Sequence, residues 1–143
     1  MYEILKAIAE TQIGDPLADQ FGFTYARRDY QNLYDEVPVG TPQIFLDPVQ
    51  ITESFGEYNE VETREYSGTF MVLISSDVEK GNYEQRYIDE IKPILDTTLA
   101  TIKDTLRCDS DITISLWRTV EAINIFDYNM DGVIVTYTVQ EDV

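Results

Sequence analysis

The clearest periodic pattern in the chain is NYEQRYIDEIKPILDTTLATIKDTLR, residues 82–107. Its apolar side chains recur at steps of three and four residues, which places them on one face of a helix. They are Tyr83, Tyr87, Ile91, Ile94, Leu95, Leu99, Ile102 and Leu106. Pro93 has no backbone N–H and is predicted to kink this helix or to divide it near Lys92. The stretch therefore predicts a long helix with one buried face.

Shorter segments on both sides of this helix alternate apolar and polar residues, or are briefly apolar throughout, as strands do. They are residues 43–47, 64–75, 112–117, 120–126 and 133–139. Gly68 is predicted to mark a β-bulge, because an isolated glycine inside a strand often does. Residues 129–132 (NMDG) have hairpin-turn chemistry and are predicted to join the last two strands.

The first quarter of the chain is less regular. Residues 2–11 have apolar side chains at helical spacing and predict a short N-terminal helix, whereas residues 21–42 are interpreted as irregular and aromatic. Strands joined by tight turns favour an antiparallel sheet. We therefore expect an α/β chain of the α+β type, with a mostly antiparallel sheet of four to five strands. The long helix and the short helix pack on it, and residues 1–143 form a single domain.

The charge is strongly negative, with 27 acidic and 10 basic residues in 143 and a formal net charge of −17. Because proteins bind phosphate backbones through Lys and Arg, this balance argues against sequence-specific nucleic-acid binding. Six acids and one base lie in residues 47–65, so residues 49–62 are predicted to be an exposed acidic loop. The acidity has two interpretations, which are solubility alone and a functional surface.

The cysteine content and the apolar segments of the chain bear on its cellular compartment. Cys108 is the only cysteine, so no internal disulfide is possible, and this fits a reducing compartment. No window approaches the roughly 20 apolar residues of a membrane span. We expect no membrane partner and a location in the cytoplasm at synthesis.

Catalytic and metal-binding motifs are missing from the sequence. The chain has no histidine, which excludes the usual Ser-His-Asp and Cys-His systems, and it has no glycine-rich nucleotide motif. Cys108 follows the long helix and is interpreted as a packing residue. Residues 127–132 (DYNMDG) match the first half of a calcium loop, but Thr138 stands where that loop needs a Glu, so a turn is favoured. We expect no enzyme activity, no cofactor and no metal.

Tyrosines are the more informative residues, because each combines a large apolar ring with a polar tip and can anchor an interface. Those outside the predicted core faces are open to two interpretations, local packing and contact with a partner. Together with the acids of the predicted loop, they give the candidate interface residues: Tyr25, Tyr30, Tyr34, Glu53, Glu57, Tyr58 and Glu60.

The order of these pieces resembles the tail-terminator and tail-completion (neck) proteins of long-tailed bacteriophages. The resemblance includes the short N-terminal helix, the segment Tyr25-Ala26-Arg27-Arg28 with Asn32, and the run VPVGTPQIFLDP. The strand at 64–75, the helix at 82–107 and the closing INIFDYNMDGVIVTYTV follow in that order. It covers nearly the whole chain in element order, without a diagnostic motif.

The resemblance implies a ring of copies of the chain, usually six, that caps the tail tube and joins it to the head. The partners would be tail-tube or connector proteins, and the final location would be the virion. The alternative is a small cytosolic protein-binding or regulatory module that recruits a partner through its tyrosine-rich segment. An enzyme that works with carboxylates alone is the third reading.

Overall fold

A computed structural model describes residues 1–11, 22–25, 42–75, 82–109, 111–125 and 130–143. Within them the helices are α1 (Tyr2–Thr11), α2 (Tyr83–Arg86) and α3 (Lys92–Cys108), and a π-helical turn at Tyr87–Ile91 joins the last two. The strands are β1 (Gly22–Tyr25), β2 (Pro42–Leu46), β3 (Gln50–Phe55), β4 (Val61–Ser75), β5 (Ile112–Ile125) and β6 (Met130–Asp142). The predicted α+β class, with a long helix and a short N-terminal one, is confirmed.

The described strands form one sheet in the order β1-β2-β4-β6-β5, and β3 pairs with β4 beside this path. All neighbouring strands are antiparallel except β1 and β2, which are parallel. The sheet is therefore mostly antiparallel, as predicted. Strand β1 lies within residues 21–42, so the irregular structure predicted there is wrong for Gly22–Tyr25.

Strand β4 organises the sheet because one of its edges serves two partners. Along its full length it pairs with β6, from Thr63 opposite Asp142 to Ser75 opposite Met130. Its other edge pairs first with β3 and then with β2, and the register shifts by one residue across the 47–49 junction between them. Residues 42–75 thus form one long hairpin, whose outgoing strand is interrupted next to Pro48, a residue with no N–H for the ladder.

The predicted exposed loop at 49–62 is a strand and a tight turn. Every residue of β3 is exposed, as expected for this segment, but β3 is hydrogen-bonded to β4. The turn follows, with the Gly56 N–H donating to the Glu60 carbonyl over 2.9 Å. Backbone pairing with a long neighbouring strand needs no buried side chains, so this strand forms without the apolar alternation that reveals the others.

The helices cover one face of the sheet and bury the main core against it. Four side chains of the predicted helical face are buried there, and the other four are partly buried. From the sheet, the face that includes Phe70, Val72, Val135 and Tyr137 meets them, and Leu5 joins from α1. The predicted buried face of the long helix is confirmed.

Pro93 changes the hydrogen bonding of the helix one turn before its own position. The Lys92 N–H donates to the Tyr87 carbonyl, five residues back, which gives the π-helical turn, and Pro93 then lies in the first turn of α3. A proline is tolerated there because the first N–H groups of a helix have no partner inside it. The long helix is therefore continued through a π-turn rather than broken.

Other boundaries differ from the prediction. Residues 112–125 form one strand and not the two predicted at 112–117 and 120–126. A register shift between Ile114 and Leu116 changes which alternate side chains face the helices, but the pairing with β6 continues across it.

Gly68 forms no bulge with β6. On its other edge the one-residue register shift lies opposite Gly68, but the extra residue is in 47–49 and not in β4. Gly68 pairs with Tyr137, and a Cβ on it would lie 3.3 Å from the Tyr137 hydroxyl oxygen, so glycine leaves room for that ring.

The turn predicted at 129–132 is wrong for its last three residues. Met130–Gly132 begin β6, and residues 126–129 lie outside the described residues. Gly132 pairs with Leu73, and a Cβ on it would overlap the Val72 carbonyl oxygen. The glycine therefore serves the close approach of two strands rather than a turn.

Candidate interaction surface

The hairpin made by β3 and the first half of β4 carries the exposed acidic segment. We call residues 50–67 the arm. No residue of Val61–Ser67 is buried, whereas five of the six residues of Phe70–Ser75 are. The arm is thus ordered by backbone pairing and stays open to solvent.

The two faces of the arm differ in polarity. Ile51 and Phe55 point to one face together with Glu53, while Gln50, Thr52 and Ser54 alternate with them. Ile51 lies opposite Tyr66, whose face of β4 is the one that the helices cover further along. Ile51 is 58% exposed and Phe55 is 59% exposed. The core-facing side of the sheet therefore continues along the arm with Ile51 and Phe55 exposed and the Glu53–Arg64 ion pair between them. We call this the apolar face of the arm, and the described residues leave it open.

The turn of the arm gathers several of the predicted interface residues. Tyr58 is 88% exposed, and its backbone N–H donates to Glu60 Oε2 over 2.9 Å. Asn59 has a φ of 62°, a left-handed conformation that asparagine tolerates better than most residues. Glu57 is exposed beside them. The ring of Tyr58 is thus presented outward from a turn that its own carboxylate neighbour stabilises.

Glu53 lies on the strand rather than in the turn. Its Oε1 accepts a hydrogen bond from Arg64 Nε over 2.9 Å, across the two strands of the arm. This interaction, led by the hydrogen bond, raises the pKa of Arg64. The structure therefore brings together four of the seven candidate interface residues, namely Glu53, Glu57, Tyr58 and Glu60.

The remaining candidates are elsewhere. Tyr25 ends β1 and is 40% exposed, and its ring packs edge-on against Tyr2 with centroids 5.2 Å apart. That contact is local packing, one of the two roles that the sequence left open for Tyr25, and contact with a partner stays a prediction for the exposed part of its ring. Tyr30 and Tyr34 lie outside the described residues.

A cavity of about 510 Å³ opens at the base of the arm, between the ends of α1 and α3 and the sheet. Its wall includes Ile51, and the Tyr66 hydroxyl within it donates to Glu141 Oε2 over 2.9 Å. Burial, and then this hydrogen bond, raises the pKa of Tyr66. The lining holds three carboxylates, from Glu3, Asp109 and Glu141, and no lysine or arginine. The concave base of the arm is therefore acidic, like its turn.

A second exposed surface lies on the opposite side of the sheet and was missed by the sequence reading. Leu116, Arg118 and Val120 alternate along β5 and pair with β6 residues on the face away from the helices. Leu116 is 44% and Val120 is 56% exposed, and Arg118 makes no hydrogen bond or ion pair within the described residues. We call these three residues the β5 stripe. Their alternation was the available signal, and splitting 112–125 into two strands concealed it.

Catalytic and metal-binding residues can be checked only in part. Cys108 is exposed at the end of α3, so its interpretation as a packing residue is wrong. Met130–Thr138 are extended strand, whereas a calcium loop would curl there. Over the ranges given above, no cluster of three or more metal-ligating side chains occurs, and none of the helices has the length and apolarity that crossing a bilayer requires.

The chain was also compared with known proteins. No protein-family model matches it, and a search of curated proteins gives no match either. The arm and the β5 stripe are therefore interpreted from their own chemistry.

Proposed function

We propose that this chain is a bacteriophage or prophage structural protein that assembles into a ring at the head–tail junction or at the tail end. It works by contacts with copies of itself and with tail-tube or connector proteins, and it has no catalytic role. It is made in the host cytoplasm and becomes part of the virion. The observation that carries the proposal is the arm, because it combines an ordered backbone with an apolar face that nothing described covers.

An ordered hairpin with exposed Ile51 and Phe55 is costly to keep in water unless something binds it. Contiguous exposed apolar surface with a polar rim marks interaction sites in soluble proteins. Here Glu57 and Glu60 supply the rim, Glu53 lies between Ile51 and Phe55 and is paired with Arg64, and Tyr58 adds an aromatic ring of the kind that interfaces favour. The arm therefore has the composition of a contact that becomes buried on assembly.

The negative charge supports the same role. A ring through which DNA passes must not bind the phosphate backbone, and a net charge of −17 per copy repels phosphates. The arm is especially acidic, with five acids and one base in residues 50–67. Acidity that would hinder a nucleic-acid-binding protein thus suits a passage for DNA.

The test is the mass of the assembly under native conditions. Native mass spectrometry of the purified chain over a range of concentrations is expected to show a closed oligomer, with six copies as the expected number. Because copies of charge −17 repel one another, we expect more oligomer at 0.3 M salt than at 0.02 M. A chain that remains monomeric at millimolar concentration and high salt would contradict the ring.

Tyr58 and the cavity favour a second candidate, a small protein-binding module. An 88% exposed tyrosine at a turn and an acidic cavity of about 510 Å³ could both receive a basic partner segment without self-assembly. A monomer that captures a basic peptide, with the capture lost in Tyr58→Ala, would favour this module over the ring.

A further inference from the structure

Three strands have an open edge within the described part of the chain. One of them, β1, pairs with β2 alone, but it is four residues long and has no charged side chain, so we compare the two longer strands. Strand β3 pairs with β4 alone, and β5 pairs with β6 alone. They lie on opposite sides of the sheet, with β4 and β6 between them. An open edge presents unpaired N–H and C=O groups and is a template for a strand from another chain.

The side chains near these edges differ in charge. On the face away from the helices, Glu65 of the arm lies opposite Thr52 of β3, is exposed and makes no hydrogen bond or ion pair within the described residues. Arg118 is the charged member of the β5 stripe on the corresponding face. The other charged residue of β5, Glu121, lies on the helix side, where it accepts a hydrogen bond from the Tyr87 hydroxyl over 2.8 Å. On this face the edge strand β5 thus carries a positive charge, and β4, the strand next to the edge strand β3, carries a negative one.

This charge distribution selects among the possible pairings of two copies. Pairing β3 with β3 would bring two arms together, each with five acids and one base. Pairing β5 with β5 would bring two Arg118 side chains together. Like charges across an interface are strongly unfavourable. In contrast, β3 and β5 can pair in a register that sets Arg118 beside Thr52, where its long side chain reaches Glu65 on the next strand.

We propose that β3 of one copy pairs edge to edge with β5 of the next, so that the sheet continues from copy to copy and Arg118 contacts Glu65 of its neighbour. This rests on the self-assembly in the proposed function and specifies the surfaces that produce it. The pairing is head to tail, because each copy uses a different edge toward each neighbour. Head-to-tail contacts close into rings when the rotation between copies allows it.

The test uses two charge reversals at exposed residues. Arg118→Glu places an acid beside Glu65 of the next copy, and Glu65→Arg places a base beside Arg118. Each variant alone is expected to raise the protein concentration needed for assembly by about tenfold or more, because it creates a like-charge contact. Arg107→Glu is the matched control, since it makes the same charge change at an exposed base on a helix, and it should assemble like the wild type.

Mixing the two variants distinguishes this pairing from a general charge effect. In an equimolar mixture, each interface of an alternating ring again joins opposite charges. The mixture should therefore assemble at a concentration where each variant alone does not. The double variant R118E/E65R should also assemble by itself. Native mass spectrometry reads the copy number and composition, and circular dichroism with thermal melting establishes that every variant is folded.

The outcomes separate this inference from the proposed function. A wild-type chain that stays monomeric overturns both. If the wild type assembles and R118E or E65R assembles equally well, the edge pairing is overturned but the proposed function is not. A mixture of folded variants that stays monomeric overturns it too.

Discussion

The two halves of β4 show how differently one strand can be used. Both halves pair with β6 in one uninterrupted register. In Phe70–Ser75 the side chains on the helix face lie in the core, whereas in Val61–Ser67 no residue is buried. Because pairing is equally complete in both, the hydrogen-bonded ladder explains the strand but not the burial. The covered half holds the fold together, and the uncovered half is available to a partner.

The largest effect that this comparison predicts is at the covered end. Ile102→Ala removes a fully buried side chain of α3 and should lower the free energy of unfolding by about 2–5 kcal/mol. Ile88→Ala, at a position 56% exposed on the π-helical turn, should change it by less than about 0.5 kcal/mol. Chemical denaturation at a concentration that gives monomers measures both. Equal losses would mean that the helix presents a different face to the sheet.

Alanine substitutions at two glycines test the same contrast between the tightly packed part of the sheet and the arm. A Cβ at Gly132 would overlap the Val72 carbonyl oxygen, and strands in a sheet are not free to move apart. Gly132→Ala should therefore destabilise the protein by about 1–3 kcal/mol. The atoms nearest to a Cβ at Gly56 would be the side-chain ends of Glu60 and Glu62 in the arm, which can swing away. Gly56→Ala should cost less, about 0.5–1 kcal/mol, because moving Glu60 gives up its exposed hydrogen bond from the Tyr58 N–H. The reverse order would contradict the tight approach of β4 and β6.

A smaller effect of opposite sign is expected at Tyr137. Its ring is fully buried against Phe70, and its hydroxyl has no hydrogen-bond partner in the described residues. A buried polar group without a partner lowers stability, so Tyr137→Phe should raise the free energy of unfolding by about 1 kcal/mol at neutral pH. Tyr66→Phe is the contrasting control, because the Tyr66 hydroxyl does have a partner in Glu141 and should not give this gain.

Tyr137 should also make the stability of the fold depend on pH in the alkaline range. Burial raises the pKa of Tyr137 well above its ordinary value near 10. At a pH below the ordinary pKa, the tyrosine is neutral in both the folded and the unfolded chain, so the free energy of unfolding does not depend on its titration. Above it the unfolded chain loses the proton first, and stability falls as the pH rises toward the folded value. Denaturant titrations from pH 8 to pH 11 should show this fall, and Tyr137→Phe should reduce it.

The sequence predicted the elements whose side chains are buried on one face. The long helix, α1 and the core half of β4 have apolar residues at the period of their structure, and all were predicted. Strand β3 was not, because only Ile51 and Phe55 are apolar among its six residues and all six are exposed. Its formation depends on β4 as a partner, which is a tertiary fact that local periodicity does not contain.

The candidate interaction surfaces were also predicted only in part. The arm residues were found through their acidity and through Tyr58, which are visible in composition. The β5 stripe was missed, because the register shift near Ser115 changes which alternate residues face the core. From the sequence alone, Leu116 seemed to continue the face of Ile112 and Ile114, and its exposure follows only from the pairing with β6.

The smallest expected effect on stability is at the arm, and it is the one that most directly concerns function. Ile51→Ser should change the free energy of unfolding by less than about 0.5 kcal/mol, because the side chain is already 58% exposed. Its effect on assembly should be large if the apolar face of the arm is buried between copies. Ile88→Ser is the matched control, since it removes the same side chain at a position 56% exposed on the helix. We expect Ile51→Ser to weaken oligomer formation in sedimentation experiments and Ile88→Ser to leave it unchanged. Should both variants assemble equally well, the apolar face of the arm would have no part in the ring, and the uncovered half of β4 would serve another partner.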